Sequence, residues 1–277
     1  MKNSFITEKV SKSWRKLKMA KVKDIVEIIE KAAPLSLAYE WDNSGLICGN
    51  PEKEVKKVFL TLDMFKSNID EAVELGVDMI VSHHPILFSG IKKIDFCSQQ
   101  GYIVKKLIEN DIALYSAHTS MDCAAGGIND VLAQKLGIKD IRVIEKNEKC
   151  DGCGLGRIGR LEKELSVGEF AQVVKDALSA PFVRVAGDFD KKIKTVAVGG
   201  GACDDLIPAA IEMGADIFVT ADMKHHITAD SIDCGIAVID AGHFATEVFV
   251  KDIFEKLLEG TDVEIFKSNE RDVFNIV

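Results

Sequence analysis

Six histidines occur in the 277-residue chain, and His83, His84, His118, His225, His226 and His243 all stand at or just beyond the end of a predicted strand. Histidines kept for packing or solubility would be scattered, so the clustering points to a site. Its densest stretch is Val77-Asp78-Met79-Ile80-Val81-Ser82-His83-His84-Pro85, a mostly apolar run that ends in two imidazoles. Adjacent residues at a strand end lean to opposite sides of the pleat, so each histidine can meet a different metal ion or a different edge of one site. His243 and Glu247 are spaced i, i+4, which places an imidazole and a carboxylate on one helical face. With His83, His84 and Asp122 they supply three neutral imidazoles and two carboxylates, enough for two divalent ions if one carboxylate bridges. Two such ions would exceed the charge of Asp122 and Glu247 and call for hydroxide or an anionic substrate. Metals in this setting acidify water and stabilise attacking and leaving oxygens, so the chemistry is hydrolytic. The mixed nitrogen and oxygen donors suit Zn, Fe, Mn, Co or Ni and argue against Mg or Ca as the sole ion.

The elements that must carry these side chains alternate. Val58 to Leu62 reads as a strand, Ser67 to Leu75 as a helix, and Val77 to Val81 as the strand that runs into the histidines. A helix from Gln99 to Asn110 leads to a third strand, Ile112 to Ala117, which ends at His118. Strands separated by helices imply parallel pairing, with the loops at their C-terminal ends forming the ligand crevice. The second half repeats the plan: Glu74-Leu75-Gly76-Val77-Asp78-Met79-Ile80-Val81-Ser82 matches Glu212-Met213-Gly214-Ala215-Asp216-Ile217-Phe218-Val219-Thr220, and a strand from Ile236 stops before His243. The expected fold is α/β, with two similar domains derived from one ancestral unit and mostly parallel sheets. Residues 1–18 read as a loose basic extension, 19–125 as the first domain, 126–242 as the second, and 243–277 as a helix and edge strand that complete the first. Ser166-Val167-Gly168-Glu169 fits a capping box, and the last long helix is expected over Ala245 to Leu258.

Composition narrows the function. A formal net charge of -9 disfavours nonspecific binding to nucleic acid or an anionic membrane, which leaves a small molecule or a protein as partner. Seven scattered cysteines do not make a disulfide framework, and a reducing cytoplasm is expected. No apolar run approaches a membrane span.

Five blocks, in order, carry a resemblance. Glu40-Trp41-Asp42-Asn43-Ser44-Gly45-Leu46, Ser82-His83-His84-Pro85, Ala117-His118-Thr119 with Asp122, Thr220-Ala221-Asp222-Met223-Lys224-His225-His226, and Gly242-His243-Phe244-Ala245-Thr246-Glu247 together resemble the Nif-three-like dinuclear-metal family, whose members are often labelled GTP cyclohydrolase I type 2 homologues. The resemblance spans residues 22–277. It implies two interlinked α/β domains, a homohexameric toroid, and two metal ions held by His83, His84, Asp122, His243 and Glu247, with Glu247 bridging. Ala221 stands where the family more often has glycine.

Beyond the metal donors, His118 reads either as a structural histidine or as a catalytic general acid–base beside the metals. Asp222, Lys224 and His225, at the equivalent strand end of the second half, are candidates to face a substrate, with Lys224 drawing an anion. Gly199-Gly200-Gly201 is read as a tight turn, because Asp204 and Asp205 would repel phosphate there. Cys150-Asp151-Gly152-Cys153 has the gap of zinc and redox motifs without a second pair. The expected function is a cytoplasmic metal-dependent hydrolase of a nucleotide-like or phosphorylated small molecule. The alternative is a non-catalytic, metal-binding or regulatory toroidal assembly protein.

Overall fold

The repeated Glu-x-Gly-x-Asp segment shows how sequence builds each half. Gly76 and Gly214 both adopt positive φ, 62° and 80°, where the preceding helix ends and the chain turns into a strand. The aspartate that follows fastens the start of the neighbouring strand. Asp78 Oδ2 accepts from the backbone N–H of Lys56 and Lys57 (2.8 and 3.0 Å), and Asp216 Oδ2 accepts from those of Lys194 and Thr195 (2.8 Å each).

A computed structural model of the chain describes residues 19–276, so the basic segment 1–18 lies outside the described residues. The chain divides into two units. The first runs to Thr119 and resumes at Val250–Glu270, and the second is Ser120–Phe249 with the residues from Arg271 onward.

The first unit holds a five-stranded sheet in the order Glu264–Lys267, Lys57–Thr61, Met79–Ser82, Ala113–Ser116, Gly45–Cys48. The first four strands are parallel and the last is antiparallel. Met79–Ser82 is buried along its whole length, as expected of a central parallel strand covered on both faces. Helices Lys66–Leu75 and Gln99–Glu109 cover one face through Ile69, Ile103 and Leu107, packed with Phe59, Ile80 and Leu114. Each such side chain contributes about 1.5–3 kcal/mol by leaving water.

The second unit has six strands in the order Lys139–Lys146, Gly154–Ser166, Lys192–Val198, Ile217–Thr220, Ala237–Asp240, Arg184–Ala186. Its three parallel strands are Lys192–Val198, Ile217–Thr220 and Ala237–Asp240, and the marginal strands are antiparallel. Parallel pairing therefore describes the centre of both sheets. One margin of the second departs from it because a hairpin, closed at its turn by a Cys150–Cys153 disulfide, needs no crossover, and at the other Arg184–Ala186 pairs antiparallel with Ala237–Asp240. The expected capping box at Ser166 and Glu169 is present.

The single helix expected over 245–258 is two. His243–Glu247 packs against Ile128–Lys135 within the second unit, whereas Val250–Leu257 packs against Val22–Ala32 and Lys57–Thr61 within the first. For the same reason the second division falls after Phe249 rather than at residue 243; the first falls after Thr119. Among the described residues no helix is long and apolar enough to cross a membrane.

Candidate metal centre

In the first unit, two strand ends deliver three histidines: His83 and His84 follow Met79–Ser82, and His118 follows Ala113–Ser116. The backbone N–H groups of His83 and His84 donate to the carbonyls of Thr61 and Leu62 (3.1 and 3.0 Å), which prolongs the strand contact past Ser82. The two rings lie 4.8 Å apart between centroids, closer than the pleat alone predicts, because the regular strand has already ended at Ser82. His118 follows Ala113–Ser116, with ring centroids 5.2 Å from His83 and 5.4 Å from His84. Donor nitrogens of all three lie within 4.8 Å of one another, a spacing that could hold a metal ion.

Each ring is aimed by its other nitrogen. His83 Nδ1 lies 2.7 Å from the Ala117 carbonyl oxygen, His84 Nδ1 is 2.8 Å from Asp63 Oδ1, and His118 Nδ1 is 2.9 Å from Asp42 Oδ1. A carbonyl or carboxylate can only accept, so in each neutral imidazole Nδ1 carries the proton and Nε2 presents its lone pair. This orientation is the usual support of a metal-binding histidine. Asp42 does more than hold His118: its carboxylate also accepts from Ser44 Oγ (2.7 Å) and from Thr119 N and Oγ1 (3.1 and 2.6 Å). Burial pushes this carboxyl's pKa up, but hydrogen bonds from His118, Thr119 and Ser44 and the charge of His118 outweigh it and hold the group well below the usual carboxylate range. Asp63 is fixed in turn by Glu270, which accepts from the N–H groups of Leu62 (2.8 Å) and Asp63 (3.1 Å) and pairs with Lys251 Nζ at 3.0 Å.

The second unit brings together Asp122, His243 and Glu247. Asp122 is carried on the short helix Thr119–Cys123, and Asn129 donates to its backbone carbonyl (3.0 Å). His243 opens the helix His243–Glu247, so the i, i+4 spacing does set imidazole beside carboxylate: His243 Nε2 is 3.0 Å from Glu247 Oε2. His243 Nδ1 is 2.7 Å from Asp222 Oδ2. An imidazole flanked by two carboxylates requires a cation, either the ring's own second proton or a metal ion that replaces it. Asp122 and Glu247 are both buried, with carboxylate oxygens within 4.8 Å of each other. Like charges so placed are costly unless a cation neutralises them, and the donor set fits a divalent transition metal.

The triple glycine is the floor of this set. Gly200 N donates to Asn129 Oδ1 (2.9 Å) and Gly201 N to Thr246 Oγ1 (3.1 Å), which ties the turn to the helix that carries His243 and Glu247 and to the helix packed beside it. Gly201 has φ +63°, and a Cβ on it would stand 2.2 Å from Glu247 Oε1 and 3.0 Å from His243 Nε2. Cys203, just beyond, is a packing thiol: burial, then the charges of Asp122 and Glu247, push its pKa well up, and it donates to the Gly200 carbonyl. Ala221 is accommodated because the left-handed backbone falls on its neighbour, Asp222, at φ 55°.

Of the residues expected to face a substrate, only Asp222 reaches a metal-donor side chain, and it does so as the partner of His243. Lys224 is exposed and pairs with Asp204 at 3.1 Å. His225 borders a cavity of about 230 Å³ with Arg184, Met223 and Asp240. Of the supporting residues, the sequence marks Asp42 only as part of the block at residues 40–46 and Gly201 only as part of a tight turn, and it does not mark Asp63 or Asn129. Position just beyond a strand end is the signal that would have found Asp63, as it found the histidines.

Relatives place these features in a family. Two curated proteins named "GTP cyclohydrolase 1 type 2 homolog" are similar along most of the chain. That of Clostridium perfringens is 37% identical over 93% of this chain and 100% of its own length. That of Clostridium acetobutylicum is 40% identical over 87% and 90% respectively. The crystal structure of a Bacillus cereus protein related to NIF3 superposes with a TM-score of 0.86 at 27% identity, covering 94% of this chain and 100% of that one. Residues 20–272 match the Duf34/NIF3 (NGG1p interacting factor 3) family as a whole, and the chain belongs to that family.

Proposed function

We propose that the protein is a metal-dependent hydrolase in which His83, His84, Asp122, His243 and Glu247 hold two divalent transition-metal ions. The observation that carries this reading is the shared support of His83, His84 and His243, each with Nδ1 held by an oxygen acceptor, which leaves the Nε2 lone pair as the metal-ligating one. Bound metal would supply Lewis-acid stabilisation of developing negative charge and a more acidic water.

The chain's own residues supply the rest. Asp42 holds the His118 ring in the tautomer whose Nε2 accepts a proton from the attacking water, and it stabilises the resulting imidazolium. His118 then returns the proton from Nε2 to a leaving group. The positive charge left over after Asp122 and Glu247 are neutralised favours an anionic substrate, a nucleotide-like or phosphorylated small molecule. The names of the relatives point to GTP as the first compound to try. In this reading the protein works in the cytoplasm as a homohexamer.

The test is elemental analysis of protein purified without added metal, then a hydrolysis screen of nucleotides and phosphoesters with the metal retained. About two ions per chain are expected, together with turnover that His243→Ala or Glu247→Ala abolishes along with metal. His118→Ala should lower kcat by about 10²–10⁴-fold and leave metal content unchanged. Stoichiometric metal with no turnover of any compound would favour a metal-binding or regulatory assembly protein instead.

A further inference from the structure

Trp41 is 60% exposed, yet the residues around it, Tyr39 and Asp42, are hydrogen-bonded to each other and to Thr119. Tyr39 N donates to Thr119 Oγ1 (3.1 Å), and Asp42 N donates to the Tyr39 carbonyl (3.0 Å). The Asp42 carboxylate next to it is buried in its hydrogen bonds with His118, Ser44 and Thr119. An indole in water on a mobile loop would mean little; one held there by a rigid backbone is a surface prepared for contact. Its ring stacks on Tyr39 at 5.9 Å and 15°, and it meets the His118 ring edge-on at 5.9 Å.

A second exposed aromatic joins the same histidine. Phe88, 49% exposed, meets His118 edge-on at 5.5 Å. Its loop is tied to the Trp41 loop, because Asn43 Nδ2 donates to the Leu87 carbonyl (2.6 Å). Four consecutive residues thus divide the work: Trp41 is the platform, Asp42 orients the histidine, Asn43 ties the two loops, and Ser44 supports the His118 backbone.

We propose that the face of Trp41 turned away from Tyr39 stacks on a planar heteroaromatic ring of the substrate, with Phe88 walling the same space and His118 at the ring's edge. The proposal rests on the hydrolase reading and narrows its substrate to a ring-bearing compound such as a nucleotide, as against a sugar phosphate. An exposed indole face with a second exposed aromatic against the same histidine favours stacking over an aliphatic chain, and one stacked base is worth enough to change affinity about tenfold.

The chain has two tryptophans, so Trp14→Phe leaves Trp41 as the sole indole reporter. In metal-loaded Trp14→Phe protein, acrylamide should quench Trp41 freely. Saturable quenching should appear with guanosine, adenosine and GTP and should be absent with ribose 5-phosphate and tripolyphosphate. In wild-type protein, Trp41→Ala should weaken GTP binding about tenfold by calorimetry, with Trp41→Phe restoring most of it and metal content unchanged in both. The proposal is overturned if no nucleoside quenches at millimolar concentration, if tripolyphosphate binds as well as GTP and Trp41→Ala is silent, or if Trp41 is shielded from acrylamide before ligand is added, as it would be beneath a second copy of the chain. None of these readouts depends on turnover, so a failed hydrolase reading and a failed stacking site give different results.

Discussion

Replacing Gly201 with alanine tests the metal centre without removing a single donor. The added methyl would lie 2.2 Å from Glu247 Oε1 and 3.0 Å from His243 Nε2, so the carboxylate has to retreat by about an ångström to reach van der Waals distance. Glu247 Oε1 is the far end of a side chain and can move, so the fold survives while the donor geometry does not. Part of the cost is unrelated to the site, since alanine at φ +63° carries about 1–2 kcal/mol of left-handed strain. Gly214→Ala provides the matched control: φ is +80° and nothing lies within 4 Å of its Cβ. Urea denaturation of chelator-treated protein should show both variants destabilised by about 1–2 kcal/mol. Competition against a chromogenic zinc chelator should then separate them, with Gly201→Ala binding metal about 10–100-fold more weakly, the range seen when support of a ligand is lost, and Gly214→Ala matching wild type. Equal metal affinity in the two variants would refute the assignment of Glu247 and His243 as donors.

Two further outcomes follow from the supporting carboxylates. Asp63→Asn and Asp222→Asn keep an acceptor for the histidine Nδ1–H but lose its charge, so each should weaken metal binding about tenfold in the same titration; wild-type affinity in both would mean that the histidines need no such support. Asp42 has a carboxyl pKa held below its ordinary value of 3.8. Its stabilisation is therefore complete above that pH and lost as pH falls below it, so Asp42→Asn should flatten the dependence of unfolding free energy on pH between about 4 and 2, measured by urea denaturation of chelator-treated protein. An unchanged slope would count against the paired carboxylate.

What the sequence made legible follows from how local each cause is. The repeat of Asp78 and Asp216 was readable because helix end, turn and strand start lie within a few residues, and the structure uses both aspartates identically. Four of the five proposed donors stand out in the sequence because His83, His84 and His243 lie at or beyond strand ends and Glu247 follows His243 by one helical turn, whereas Asp122 is marked only by its place four residues after His118. The roles of Asp63 and Asp42 were not readable: Asp63 meets His84 across 21 residues of sequence and Asp42 meets His118 across 76, and a lone aspartate in a turn has many ordinary explanations. Gly201 reads as a turn, which it is, but its reason for being glycine includes the Glu247 oxygen facing it. Periodicity alone could not reveal the break after Glu247, because an apolar stripe shows that a helix is buried and not which neighbour buries it.

The position of Glu270 has a consequence for the order of events during synthesis. The strand Glu264–Lys267 pairs with Lys57–Thr61, and Glu270 then fixes the backbone of Leu62 and Asp63, more than 200 residues earlier in the chain. A nascent chain that has already exposed both histidines of the Ser82-His83-His84-Pro85 segment still lacks the edge strand and the carboxylate that set Asp63 against His84. The first half to be translated is thus among the last to be finished, and a chain truncated before Glu264 lacks both the edge strand and the carboxylate that hold Asp63 against His84.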